Sequence, residues 1–205
     1  MTANPDDDFP QDQSGTFNND NDALSISNQH VEMYNKAATE IATEAVNAAS
    51  NGDRTAISCD INNANCAQTV ISQLGLKVWR RPLSSEESSA MKSLYDDVQS
   101  TTNNRRISMT ALVRMMLLSP NFIFRPEFDQ SLNSDQAQPL SAYELASRIS
   151  YFLWSSTPDD QLLDKAANGS LTNDSTLRAE VARMLADDRS DTLLDNFAWT
   201  WLGYG

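Results

Sequence analysis

The chain of 205 residues is poor in histidine, with one, in cysteine, with two, and in glycine and proline, with six and seven. It also has no long apolar run and no surplus of positive charge. Each shortage removes a class of function. One imidazole, His30, cannot build a zinc site. It stands in the first turn of a helix beside an acidic stretch and reads as a surface or capping residue. No cysteine pair has the short spacing of a zinc or redox motif, and no CxxCH is present to attach haem. Glycine-rich phosphate loops are absent, as is the GxSxG elbow of a nucleophilic serine. Collagen-like and Pro/Gly-rich low-complexity chains are excluded by the same scarcity.

Charge narrows the field further. Lys and Arg number 15 against 28 Asp and Glu, a net of -13. Up to Asp60 there are eleven acidic and two basic side chains, so the excess is concentrated there. Such a field repels a phosphate backbone and anionic lipid, which argues against nucleic-acid and membrane-surface partners. The most apolar run, MTALVRMMLL from Met109 to Leu118, is too short to span a bilayer and carries Arg114, so no membrane insertion is expected. The opening MTANPDDDFP has neither the basic start nor the apolar run of a signal peptide and reads as a cut inside a longer protein.

What is present is helical periodicity. Residues 1–26 form an irregular acidic lead-in of Asp, Asn, Gln and Ser. Val31, Tyr34, Ala38, Ile41 and Ala45 then mark one face of a helix, capped by Ser27 or Asn28 and ended by Asn51-Gly52. Ala67, Val70, Ile71, Leu74 and Val78 mark a second, stopping near Arg81-Pro82. Ser84 with Glu87 fits a capping box opening a third, with Met91, Leu94, Tyr95 and Val98 inward. A fourth, Arg105 to Leu118, is apolar nearly all round and is expected to be the most buried. Ser119-Pro120 breaks it, and a polar linker, DQSLNSDQAQP, follows.

The second half repeats the pattern. Ser141 and Glu144 form another capping box, and Leu145, Ile149, Phe152 and Leu153 give one stripe. Glu144 and Arg148 are spaced as an i,i+4 ion pair. Thr157-Pro158 reads as an N-cap with proline at the first helical position, opening a short helix that ends at Asn168-Gly169. Asn173 caps the next, with Leu177, Val181, Met184 and Leu185 on one face. Leu194, Phe197, Ala198 and Trp201 line the last. No segment alternates as a strand would. The expectation is an all-α protein of about eight helices in two packed bundles. Its divisions fall at 1–50, 51–128 and 129–205: a lead-in with one helix, a helical domain, and the start of a second.

Candidate chemistry is sparse. Cys59 and Cys66 flank six residues in CDINNANC: in an exported protein they would close a small disulfide loop, and otherwise they are two reduced thiols without function. Asn18, Asp20 and Asp22 have the opening spacing of a calcium loop, but Ala23 stands where glycine is needed and Gln29 where a bidentate Glu is needed. Asp159-Asp160 is a carboxylate pair, read as complementing a helix dipole rather than doing acid–base work. The aromatic stretch YELASRISYFLWSSTPDD, 143–160, reads as core. Tyr151 and Trp154 are expected to pack against WTWLG at the end of the chain.

Three blocks carry a resemblance. GLKVWRRPLSSEE resembles the FGRRAFRRPLSxEE signature of a domain in large exported bacterial proteins. LSAYELASRISYFLWSSTPDDQLL with LRAEVARMLADDRSDTLLDNFAWTWLG resembles the domain that follows it. DFPQDQSGTFNNDNDALSISNQHVEMYNKAATEIA is similar to the tail of the one before. These are the planctomycete-specific domains, the domains of unknown function 1587, 1595 and 1592 in that order. Relative to them, the first block lacks its beginning and the last stops at WLGYG.

The resemblance implies export and association with c-type haem domains elsewhere in the full-length protein. It implies no cofactor, metal or catalytic residue in this chain. Cys59 and Cys66 resemble the cysteines that precede the RRPL block, which supports a disulfide. The expected role is a non-catalytic scaffold or interaction region whose partners are the protein's other domains, a c-type haem domain among them. Two rivals stand beside it. One is a redox or hydrolytic enzyme completed by further C-terminal residues, with Tyr143, Tyr151, Trp154, Trp199 and Trp201 lining a pocket. The other is a calcium-dependent adhesion module using the acidic lead-in.

Overall fold

The computed structural model describes residues 27–127 and 139–194. The acidic lead-in, most of the polar linker, and Phe197, Trp199 and Trp201 lie outside them. Among the described residues every regular element is a helix, and no strand occurs.

Contacts divide the described residues into two compact units, separated along the chain as 1–78 with 82–123 and 79–81 with 124–205. In the first unit, α1 (Asn28–Ser50) opens on Ser27, whose hydroxyl accepts the His30 backbone N–H at 3.3 Å. The His30 ring nitrogen Nδ1 in turn accepts the Ser27 N–H at 3.2 Å, so the lone histidine takes the place of the usual Glu in a capping box. α2 (Cys66–Thr69) runs through a π-helical segment (Val70–Leu74) into α3 (Gly75–Trp79). The sequence pattern predicts one plain helix here. Its buried pairs, Cys66-Ala67 and Val70-Ile71, recur every four residues and continue through Leu74-Gly75 and Val78-Trp79. In an α-helix of 3.6 residues per turn a four-residue period drifts by about 40° per repeat, and the wider π turn corrects that drift.

α4 (Ser85–Thr102) begins on the expected capping box of Ser84 and Glu87, and α5 (Arg105–Leu118) on Asn104, whose side chain accepts two backbone N–H groups. α5 packs against both α1 and α4. Met109, Leu112 and Met116 on it are fully buried. It is not buried all round, because Ile107 and Met115 on its outer side are 49% and 41% exposed. Arg114 reaches α1, donating to Thr39 Oγ1 at 3.0 Å and to Asn35. A short α6 (Pro120–Ile123), which the sequence pattern does not reveal, follows Ser119.

In the second unit α7 (Ala142–Trp154) opens on the Ser141–Glu144 capping box. α8 (Asp160–Ala167) is capped by Asp159, whose carboxylate accepts the Leu162 N–H at 2.9 Å, and not by Thr157. The ionised carboxylate is the stronger acceptor, and it has a second task described below. A 3₁₀ turn (Ser170–Thr172) leads to α9 (Asp174–Leu185), and another (Asp188–Ser190) leads to α10 (Asp191–Leu193). α7 is the centre, touching α8, α9 and α10. Its buried stripe is Ala146, Ser150, Leu153 and Trp154. That is one residue round from the expected stripe, and Phe152 is left 54% exposed. Ala146 and Ser150 are fully buried, and the Ser150 hydroxyl can be buried because it donates to the Ser147 carbonyl of its own helix at 3.1 Å.

Candidate functional site

The polar and aromatic side chains of the second unit converge on two rings. Trp154, at the end of α7, is buried, and its indole N–H donates to the Met184 carbonyl of α9 at 3.0 Å. Two guanidiniums cover its face, Arg189 at 3.5 Å from the ring centre and Arg183 at 5.6 Å. Arg183 is held on both sides. It makes two hydrogen bonds to Asp159, at 2.8 and 3.2 Å, and one to Glu180 at 2.8 Å. Glu180 is buried and accepts a further bond from Gln161 at 2.8 Å. Arg189 closes the arrangement with a fork onto Asp187 and a longer approach, 3.7 Å, to Asp159.

Electrostatics follow from this geometry. Burial pushes the Asp159 carboxyl upward, but hydrogen bonds from Arg183 and Leu162 outweigh it and hold the group below the usual aspartate range. Burial works against the Arg183 charge in the same way, and the two carboxylates overcome it, raising its pKa. Asp187 is kept well below the ordinary range by hydrogen bonds from Arg189. Two guanidiniums are shared among three carboxylates, so each cation is held by more than one anion.

The second ring is Tyr151, one turn earlier. Arg125 lies 4.5 Å from its centre and Arg80 5.8 Å. Arg80 is buried, donates to the Phe124 carbonyl at 2.6 Å, and sits at φ +59°, a left-handed conformation that is costly for a side chain of this size. Burial lowers its pKa, with the Tyr151 side chain acting in the opposite direction. Arg148 turns to Glu127 in a two-pronged contact, while the Glu144 carboxylate accepts the Ser141 N–H at 2.8 Å. Arg148 is raised in pKa by the Glu127 hydrogen bond against the effect of burial, and the Glu127 and Glu144 charges add to the rise, so the i,i+4 neighbour contributes alongside the longer-range pair. Nothing in the sequence around Glu127 signals its role, because the partners are 21 residues apart.

The remaining sequence candidates fall as follows. Cys59 and Cys66 form a disulfide with Cα atoms 5.6 Å apart. It closes the loop in front of α2, and Ile57 and Ile61 on either side of Cys59 are buried. Asp159 belongs to the Trp154 cluster, whereas Asp160 is exposed in the first turn of α8. Tyr143 is half-buried against the second unit's core, and burial followed by the nearby Asp164 charge raises its pKa. Trp199, Trp201, Asn18, Asp20 and Asp22 lie outside the described residues. Among those described, no group of three His, Cys, Asp or Glu side chains is placed to hold a metal ion, and no helix is long and apolar enough to cross a membrane.

The described residues form open concavities. One of about 410 Å³ in the first unit is polar, with Asn62, Asn103, Asn104, Arg105 and Arg106 around it. The other, about 540 Å³, lies along α9 and is lined by Leu177, Val181 and Leu185. Neither contains Tyr151, Trp154 or the carboxylates around Arg183.

Comparison with known families gives three matches in series. Residues 1–47 match a protein of unknown function (DUF1587), residues 66–127 one of DUF1595, and residues 140–205 one of DUF1592. No curated protein and no solved structure matches the chain.

Proposed function

Because the chain carries three planctomycete-type domains of unknown function in order along its length, we propose that it is a non-catalytic helical scaffold. In this reading it serves as an interaction region of an exported protein associated with a c-type cytochrome. The observation that carries the reading is the Trp154 cluster. The aromatic and charged residues that would equip a catalytic pocket instead join α7, α8 and α9 to one another, with Arg183 held between Asp159 and Glu180. The Cys59–Cys66 disulfide favours an oxidising compartment, as export requires. The haem-bearing chemistry would belong to another domain, and this region would hold that domain in place.

The test is an optical and calorimetric titration of the purified chain with the c-type haem domain of its own full-length protein. Saturable association that leaves the chain's helicity unchanged is the expected result. Lack of association at high micromolar concentration would remove the cytochrome link.

A second reading has one observation in its favour. Tyr151 lies against two guanidiniums, one of them held in a left-handed backbone, and strained residues gather at working sites. In a redox or hydrolytic enzyme completed by further C-terminal residues, Tyr151 would be the acid or the radical-bearing group. Turnover by the full-length protein that vanishes in Tyr151→Phe, with melting unchanged, would establish this reading and end the first.

A further inference from the structure

Asparagine followed by glycine occurs twice, at Asn51-Gly52 and Asn168-Gly169. Both pairs are exposed, and both glycines have positive φ, +95° and +73°, with open space where a Cβ would lie. A glycine nitrogen is the least hindered backbone nucleophile in a chain, since no side chain shields it. The two sites differ in the asparagine itself. The Asn168 carboxamide oxygen accepts the Ser170 N–H at 2.9 Å, which ties the group toward Ser170. The Asn51 backbone N–H bonds to carbonyls of α1, but its carboxamide has no partner among the described residues.

We propose that Asn51 is a site of spontaneous covalent modification, converting to aspartate and isoaspartate through a cyclic imide. In the first step the Gly52 backbone nitrogen attacks Asn51 Cγ. The N–Cγ bond forms, the Cγ–Nδ2 bond breaks, and the nitrogen leaves as ammonia carrying the proton that Gly52 gives up. Water then adds across one of the two imide carbonyls. Opening on one side gives aspartate, and opening on the other gives isoaspartate with the main chain routed through Cβ. No oxidant or cofactor is needed.

The position gives the reaction a consequence. Asn51 is the C-cap of α1, where the last carbonyls are met by a tight set of donors. Gly52 N–H bonds to Ala49 O at 3.1 Å, Asp53 N–H to Ala48 O at 3.0 Å, and the Arg54 guanidinium also reaches Ala49 O. Either product places a new carboxylate at the negative end of the helix dipole. The isoaspartyl product also lengthens the turn by one methylene, so that both backbone bonds cannot close together. Val46 and Ala49, one turn and less from the cap, are in the buried core of the first unit.

The experiment ages the folded full chain at mildly alkaline pH and maps peptides by mass spectrometry with chromatographic separation of the isomers. The acid and iso-acid are expected at position 51 several-fold ahead of position 168. The melting temperature of the aged wild type should fall, while Asn51→Gln, aged alongside, should keep its own. Equal conversion at both positions, or conversion at 168 first, overturns the assignment. So does an intact Asn51 after a time in which a short peptide of the same sequence has converted. The mass readout is made on wild-type protein, so it stands even if the variant folds poorly.

Discussion

Arg189 lies 3.5 Å from the ring centre of Trp154, on the side chain that ends α7. The contact is close enough for a cation–π attraction, and the ring's N–H is satisfied at the Met184 carbonyl. The tryptophan is thus held in its plane by α9 and across its face by the turn that follows. The segment 185–191 is tied down as well by the Ser190 hydroxyl, which donates to the Leu185 carbonyl at 3.0 Å, and by the Asp187 N–H, which donates to the Met184 carbonyl at 3.3 Å.

Removing Arg183 should unfold the second unit more easily than any surface substitution. Arg183→Met leaves Glu180 charged with its side chain only 6% exposed. Breaking a buried pair costs roughly 3–5 kcal/mol, and the partial exposure of Arg183 brings the expectation down to about 3 kcal/mol. Adding Glu180→Gln to Arg183→Met should recover part of that loss, because the stranded charge is gone. Urea denaturation of the two variants checks it, and a double variant no more stable than Arg183→Met would refute the account.

Acid should weaken the same cluster. Asp159 has a lower pKa folded than unfolded, so the unfolded chain binds more protons as pH falls. Its contribution is complete above the ordinary aspartate value of about 3.9 and is lost as pH drops through the folded value. Asp159→Asn should be less stable than wild type at neutral pH, and the two stability curves should begin to converge only as pH falls below about 3.9. Parallel curves over that interval would show that Asp159 contributes nothing by its charge.

Reduction should act on the first unit. Loss of a disulfide closing so short a loop costs about 2–3 kcal/mol through the entropy of the unfolded chain. Cys59→Ser with Cys66→Ser should therefore melt lower than oxidised wild type and be indifferent to dithiothreitol. Wild type should fall to the level of the double variant once reduced.

Arg80 offers a test of backbone strain. Both Arg80→Gly and Arg80→Ala delete the guanidinium and its bond to Phe124 O, so that loss cancels between them. Only glycine accepts φ +59° without penalty. Arg80→Gly should exceed Arg80→Ala by about 1 kcal/mol, the left-handed penalty less the extra freedom of glycine when unfolded. Equal stability would mean that the backbone relaxes when the side chain is removed.

Helix caps were the most legible feature of the sequence. Ser84 with Glu87 and Ser141 with Glu144 open α4 and α7 as their spacing predicts, because a capping box is local and its partners are three residues apart. Thr157-Pro158 misleads for a physical reason. Asp159 both caps α8 and receives Arg183 from α9, and that second interaction is invisible in a local pattern. The buried face of α7 is missed by one residue because hydrophobicity favours Phe152, while close packing favours Ala146 and Ser150. The Tyr151 ring between Arg80 and Arg125 escapes notice since its partners come from separate stretches of the chain. The order of residues did contain a signal for the widened turn at Val70–Leu74, in the pairs from Cys66-Ala67 to Val78-Trp79 spaced by four.

That widened turn implies tolerance of a particular length change. Five residues between Val70 and Leu74 occupy a coil with one more residue than an ordinary turn would hold. A chain shortened by one there can tighten into an unbroken α-helix without moving its ends far. Shortening the neighbouring coils by one would instead rotate every later side chain by about 100°. Relatives of this protein should accordingly differ in length at that point more readily than anywhere else between Cys66 and Trp79.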